Sequence, residues 1–141
     1  VILRKERQHR FAGGELRLWV ILDEEALRRP VADEMVMRDQ LEYLLKAAAR
    51  RNLTLQVTPR DAAGHAAPSG FSILRFADRD MPDIVYVEQL TSALYLDKHP
   101  EVDRYLLAME RMSLLSNDPQ SSEDLIRRIQ AEAAARHEQY A

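Results

Sequence analysis

The sequence Leu16-Arg-Leu-Trp-Val-Ile-Leu22 is an apolar run of β-forming residues, and it leads directly into the charged turn Asp23-Glu-Glu-Ala-Leu-Arg-Arg29. Apolar residues occupy both faces of the run, which is typical of a strand covered on two sides. Acids at the start of the turn and arginines at its end match the dipole of a short helix, and Pro30 closes it. We therefore expect a buried strand followed at once by a helical turn.

A long amphipathic helix is predicted over residues 32–50. Its apolar residues recur at helical spacing, while acids stand at its start and basic residues at its end; these apolar residues are Met37, Leu41, Leu44, Leu45 and Ala48. Residues 53–58 then alternate between apolar and polar, which predicts a half-exposed strand ended by Pro59. The first strand, the helix and this second strand are expected to form a right-handed parallel crossover.

The rest of the chain alternates between loops, short strands and helices. A loop is expected at 60–70, strands at 71–76, 83–88 and 93–96, and helices at 1–11, from His99-Pro100 onward and from about Ser122 to the end. The three later strands are expected to form an antiparallel meander. Together these elements predict an α+β single domain with a mixed four- to five-stranded sheet packed with helices.

Composition excludes several classes of protein. The chain has 141 residues, a formal net charge of -3 and no cysteine. The charge gives no general attraction to phosphate backbones or anionic membranes, and the lack of cysteine excludes disulfides and fits a reducing cytoplasm. No apolar run approaches the roughly 20 residues of a membrane span. We expect a cytoplasmic protein that has no contact with a membrane.

The acidic residues offer two interpretations. Glu24 lies in an acidic turn and Glu88 ends a predicted strand, so the two carboxylates are candidates for general acid-base chemistry or metal binding. His65 lies in the 60–70 loop, where functional side chains are over-represented. The alternative interpretation is a solvated helix start, a strand-end charge and a solvated histidine, and we favour it because no partner motif accompanies these residues.

No motif for a cofactor, a metal or a nucleophile is present. The four histidines lack the i, i+4 spacing of zinc-binding helices, Ser69-Gly70 lacks the flanking glycines of a nucleophile elbow, and Gly13-Gly14 precedes a strand instead of a helix. We therefore expect no catalytic residues, no cofactor and no metal.

An ordered series of short motifs resembles a known family. The series is Val20-Ile-Leu-Asp-Glu-Glu-Ala-Leu-Arg28, Met37-x-x-Gln40-Leu41-x-x-Leu44-Leu45, Leu55-Gln-Val-Thr-Pro59, Gly64-His65, Phe71-x-Ile-Leu-x-Phe76, Val85-Tyr-Val-Glu88, Tyr95-Leu96 and Ser121-Ser122. It resembles the C-terminal domain of bacterial XRE (Cro/C1-type) helix-turn-helix regulators, which are antitoxin-like transcriptional regulators. The resemblance covers the chain from about Arg4 onward.

The resemblance implies a regulatory, protein-interaction domain without catalysis. It implies that residues 1–11 are a linker helix from a missing N-terminal DNA-binding domain and that residues 12–141 are the regulatory α+β domain. DNA binding would then belong to the missing domain, and a small protein encoded beside the regulator would be the partner. A homodimer is expected because operators of such regulators are often two-fold.

Six residues match positions of that family and are candidates for interaction or for lining a ligand pocket: Glu24, Arg28, Gln40, Gln56, His65 and Glu88. Arg28 is expected to pair with Glu24 at i, i+4. Two other functions stay open at this point. One is a small-molecule effector-sensing domain with a pocket between the sheet and the 60–70 loop, and the other is an enzyme that uses Glu24, His65 and Glu88.

Overall fold

The computed structural model describes residues 2–62, 69–78 and 80–140. The chain order of helices and strands is α1 (Ile2–Ala12), β1 (Leu18–Asp23), α2 (Glu24–Arg28), α3 (Glu34–Ala48), β2 (Leu53–Thr58), β3 (Ser72–Leu74), β4 (Ile84–Glu88), β5 (Ala93–Leu96), α4 (His99–Leu115) and α5 (Pro119–Tyr140).

The predicted α+β class is confirmed, but the prediction of one mixed sheet is wrong. β1 and β2 form a parallel pair, and β3, β4 and β5 form a separate antiparallel sheet. The chain divides accordingly into two compact units. The first contains the residues up to Asp61 and those from Ser116 onward, and the second runs from Ala62 to Leu115.

The first unit is a parallel strand pair covered by helices. β1 and β2 align from Leu18 opposite Leu53 to Asp23 opposite Thr58, and α2 and α3 lie between them in the chain. α3 and α5 both pack against β2. The buried core of this unit comes from α2, α3, β2 and α5; its members are Leu27, Leu41, Leu55, Val57, Leu125, Ile126 and Ile129.

The expectation that β1 is covered on both faces is wrong at the start of this strand. Leu18 and Trp19 are exposed at 41% and 50% of their surface. Because α3 and α5 pack over β2, the opening residues of β1 gain less cover than their apolar character predicts.

Aspartates set where three of the helices begin. The carboxylates of Asp23, Asp33 and Asp118 accept hydrogen bonds from backbone N–H groups in the first turns of α2, α3 and α5, at 3.0, 2.9 and 2.9 Å. Each satisfies a donor that has no partner inside its helix. α5 therefore begins at Pro119, earlier than the predicted Ser122. After α1, Gly14 takes a φ of +81°, in the left-handed region that glycine adopts readily at helix ends.

The second unit is an antiparallel meander with one helix. β4 lies between β3 and β5, and Val85, Val87 and Val102 form its buried cluster. The ring of Phe71 meets the ring of Tyr105 on α4 edge to face, with centroids 5.0 Å apart. β3 has three residues instead of the predicted six because only Ser72–Leu74 pair with β4.

No helix in the described part of the chain is both long enough and apolar enough to cross a bilayer.

Candidate ligand groove and the Glu24 ion cluster

Glu24 is a buried carboxylate at one edge of the parallel strand pair. It follows β1 directly, and Arg60 lies two residues beyond β2, so the two residues meet where the carboxyl ends of both strands meet. Glu24 is only 4% exposed. Its Oε1 accepts a hydrogen bond from Arg28 Nε at 2.6 Å, and its Oε2 accepts one from the backbone N–H of Arg60 at 2.9 Å. Both carboxylate oxygens therefore have a donor, as a buried charge requires.

Further ion pairs extend outward from Glu24. Arg28 Nη1 donates to Glu132 Oε2 on α5 at 2.6 Å, and Arg60 Nη2 lies 3.0 Å from Glu25 Oε1. We call these five residues (Glu24, Glu25, Arg28, Arg60 and Glu132) the Glu24 cluster. The cluster connects α2 with α5 and with the segment after β2, so it has a clear structural role.

The contacts within the cluster shift the pKa values of Glu24 and Arg28. Burial alone raises the pKa of Glu24, but the hydrogen bonds from the Arg60 backbone and from Arg28, with the charges of both arginines, bring the net pKa below its usual value. The hydrogen bond to Glu132 is the largest cause that raises the pKa of Arg28, and the bond to Glu24 adds to it. Glu24 and Arg28 are therefore both charged at neutral pH. A carboxylate held ionised with both oxygens occupied is a poor general base.

A groove lies beside this cluster in the same unit. Its volume is about 460 Å³, and residues from α2, α3, α5 and the α2–α3 connection line it: Leu27, Arg28, Pro30, Ala32, Glu34, Met37, Arg38, Leu41, Ile129 and Ala133. Most of these side chains are apolar. Ligand sites are typically concave, mostly apolar and of about 300–1,000 Å³, so this groove has the size and lining of one.

Three exposed apolar residues lie in the same stretch of sequence as residues that line the groove. Val31, Met35 and Val36 are exposed at 75%, 68% and 51% of their surface. They alternate in sequence with groove residues such as Ala32, Glu34 and Met37. We call Val31, Met35 and Val36 the α3 ridge. Single exposed apolar residues are ordinary, and contiguous apolar patches mark contact sites. Because these three residues lie within six positions of the chain, next to residues that line the groove, they are the candidate contact residues of this unit.

The predicted half-exposed strand at 53–58 assigns Gln56, as a polar residue of the alternation, to the exposed face, and this is wrong. The residue is only 9% exposed. Its Oε1 accepts a hydrogen bond from Trp19 Nε1 at 2.8 Å, and its Nε2 donates to the backbone carbonyl of Asn117 at 3.0 Å. Strand alternation does not predict this, because the segment before α5 covers the face of β2 that the pattern assigns to water.

The other candidates lie in different places. Gln40 is exposed on α3, in the same unit as Glu24 and Arg28. Glu88 ends β4 in the second unit and is exposed. His65 lies outside the described residues, as does most of the 60–70 loop beside which a pocket was expected. The structure thus brings Glu24 and Arg28 together, as their i, i+4 spacing predicts.

No group of three potential metal ligands occurs among the described residues.

Several residues of this region carry no sequence signal. Glu132 is 104 positions from Arg28 in the chain, and Arg60 contributes its backbone N–H, which any residue but proline has. The groove is visible in the sequence only as three separate apolar stripes, on α2, α3 and α5, whose meeting depends on the tertiary fold.

Comparison with known proteins places the chain in a family. The family described as "Domain of unknown function (DUF5753)" matches residues 1–128. The match spans both units of this α+β protein, and the chain belongs to that family. No curated protein and no solved structure matches the chain.

Proposed function

We propose that this chain is the regulatory, protein-interaction domain of a helix-turn-helix transcription regulator of the antitoxin-like XRE type. The motif series from Val20 to Ser122 supports the assignment to regulators. The observation that carries the interaction role is the α3 ridge beside the groove, because exposed apolar residues at such a place favour contact with another protein. In this proposal the domain acts in the cytoplasm, and DNA binding belongs to a separate helix-turn-helix domain.

The proposal assigns no catalytic role to the chain. The strongest candidate group, Glu24, accepts hydrogen bonds from Arg28 and Arg60 at both oxygens, and this supports a structural role. The partner in our proposal is a small protein encoded beside the regulator, and the regulator itself works as a homodimer.

A second function, small-molecule effector sensing, is favoured by one specific observation. The groove of about 460 Å³ has an apolar lining and a few charged side chains at its rim, which is the composition of many ligand sites. An effector bound there would contact α2, α3 and α5 together. It would thereby stabilise the arrangement of these helices that it fits best.

Co-expression with the protein encoded next to this chain tests the primary proposal. The chain carries an affinity tag, and the two proteins are purified together at low salt. We expect the neighbour to be retained by the natural sequence and to be lost from Met35→Asp, which places a charge on the α3 ridge. The matched control is Leu114→Asp, because Leu114 is 80% exposed on α4 in the second unit. Failure of the natural sequence to retain the neighbour, or equal loss from both variants, contradicts the proposal.

A further inference from the structure

The rim of the groove carries an acid and a base one helical turn apart. Glu34 and Arg38 both line the groove from α3 and are separated by four positions, a rise of about 6 Å along the helix. Among the described residues Glu34 forms no ion pair. Arg38 forms an ion pair with Asp39 at 3.5 Å, with side chains 60% and 64% exposed, and so exposed a pair contributes little. Arg38 also interacts by charge with Glu42, more weakly than Lys46 does with the same carboxylate.

The opposite wall of the groove offers no comparable charge. Arg28 also lines the groove, but Glu24 and Glu132 balance its charge at 2.6 Å each. The floor between the walls is apolar and includes Leu27 and Ile129. Glu34 and Arg38 therefore present a negative and a positive charge about one turn apart along α3, and a zwitterion of matching length is complementary to both.

We propose that this groove binds a short apolar peptide of about two residues with charged termini. The ammonium group faces Glu34, the carboxylate faces Arg38, and the two side chains lie on the apolar floor. Two extended residues span about 7 Å, close to the rise of about 6 Å between the two rim positions, and a single amino acid is too short. The inference deepens the effector-sensing alternative of the proposed function and does not depend on the protein contact at the α3 ridge.

Titration with dileucine tests this inference on the full chain. The protein is labelled with nitrogen-15, and amide shifts are followed as Leu-Leu is added. We expect saturable shifts at groove residues such as Met37, Leu41 and Ala133. Leucine alone and N-acetyl-dileucine-amide, which lacks both charges, are expected to bind at least about threefold more weakly.

Matched variants locate the site. Glu34→Gln and Arg38→Gln should each weaken dileucine binding about threefold, whereas Arg51→Gln, at an exposed position after α3, should leave it unchanged. Ala133→Trp fills the groove and should abolish binding. Ala131→Trp is its control, because Ala131 is exposed on the same helix. Thermal unfolding of each variant shows that it is folded.

Three results with dileucine and its analogues would overturn the inference. They are the absence of saturable shifts with dileucine, equal binding of the blocked peptide, and equal loss of binding in both tryptophan variants. A neighbour protein that shifts the groove amides while dileucine does not would also overturn it in favour of a protein occupant. Because dileucine binding is measured on this chain alone, its failure leaves the co-purification test of the proposed function intact, and the reverse also holds.

Discussion

Arg28 and Glu24 form a close ion pair inside the five-residue helix α2, with Nε and Oε1 2.6 Å apart. Their side chains are only 18% and 6% exposed, in contrast to the other i, i+4 ion pairs among the described residues. A helix of this length has little stability by itself. The pair, together with the Arg60 backbone N–H and Glu132, therefore holds α2 against the strand ends and α5.

Glu24→Gln should destabilise the protein by about 2 kcal/mol. The substitution keeps the shape of the side chain, but the amide has one oxygen where the carboxylate offers two, and it removes the charge that faces Arg28. Hydrogen bonds to charged groups contribute about 1.5–3 kcal/mol, and loss of one partner of a buried ion pair is costly. Urea unfolding monitored by circular dichroism measures the effect.

Glu25→Gln is the control for this substitution. Glu25 is the next residue of α2, and its side chain is 62% exposed in the pair with Arg60. Exposed pairs contribute about 0–1 kcal/mol, so we expect a change in the free energy of unfolding below about 0.5 kcal/mol. Equal effects of the two substitutions would show that burial of Glu24 has no energetic importance.

The free energy of unfolding at acid pH should depend on Glu24. Its pKa in the folded protein lies below the ordinary value of 4.5, because the donors from Arg60 and Arg28 outweigh the effect of burial. Such a group stabilises the fold above its unfolded pKa, and this contribution is lost as the pH falls through the lower folded pKa. The free energy of unfolding should therefore fall as the pH drops below about 4.5.

Comparison with Glu24→Gln isolates that contribution. Asp118 and Glu42 also have lowered pKa values, from hydrogen bonds with Ser121 and Lys46, but they stand at the surface and are present in both proteins. The difference in stability between natural sequence and variant should be constant near neutral pH and should shrink below about pH 4.5. A difference that stays constant into the acid range would contradict the lowered pKa of Glu24.

Local patterns predict the elements of this chain well, and the reason is physical. The Asp33 cap and the apolar stripe of α3 are encoded within one helix, and the Glu24–Arg28 pair is encoded by a spacing of four. The division into two sheets is not encoded in this way. It depends on which strand edges meet, and no local period of β2 or β3 distinguishes one mixed sheet from two small ones.

The groove was unpredictable for the same reason. Met37 and Ile129 each follow an ordinary helical period, and only the packing of α3 beside α5 places them on one concavity. The burial of Gln56 could not be predicted either, because strand alternation distinguishes two faces but not whether a later segment covers the second.

Gln56→Leu should destabilise the protein by about 1–3 kcal/mol. The leucine fits a buried position, but it removes one of the two donors to the carbonyl of Asn117, the one at 3.0 Å, and it leaves only Ser122 Oγ at 3.2 Å. It also removes the acceptor of Trp19 Nε1. Urea unfolding followed by the fluorescence of Trp19, the single tryptophan, reports both stability and the loss of that contact. Gln40→Leu at an exposed position of α3 should change stability by less than about 0.5 kcal/mol. A neutral effect of Gln56→Leu would show that its hydrogen bonds are replaceable by water.

Ser122→Ala should increase amide hydrogen exchange at the edge of β2 that faces away from β1. The Ser122 side chain is fully buried, and its Oγ accepts a hydrogen bond from the Val57 backbone N–H at 2.9 Å and lies 3.2 Å from the carbonyl of Asn117, to which it donates. The Asn117 N–H in turn donates to the Val57 carbonyl at 3.0 Å, so the start of α5 supplies the pairing that a third strand would give.

Removing this hydroxyl leaves a buried N–H without a partner, at a cost of about 1–3 kcal/mol. Hydrogen exchange of the Val57 amide should accelerate in Ser122→Ala by more than the overall loss of stability accounts for. The neighbouring Gln56 amide, which strand alternation directs toward β1, should follow the overall loss alone. Ser72→Ala, at an exposed position of β3, is the control and should change neither rate. If the Val57 amide in Ser122→Ala exchanges only as fast as the overall loss of stability predicts, the serine is not what protects this edge, and the pairing between Asn117 and Val57 alone is sufficient.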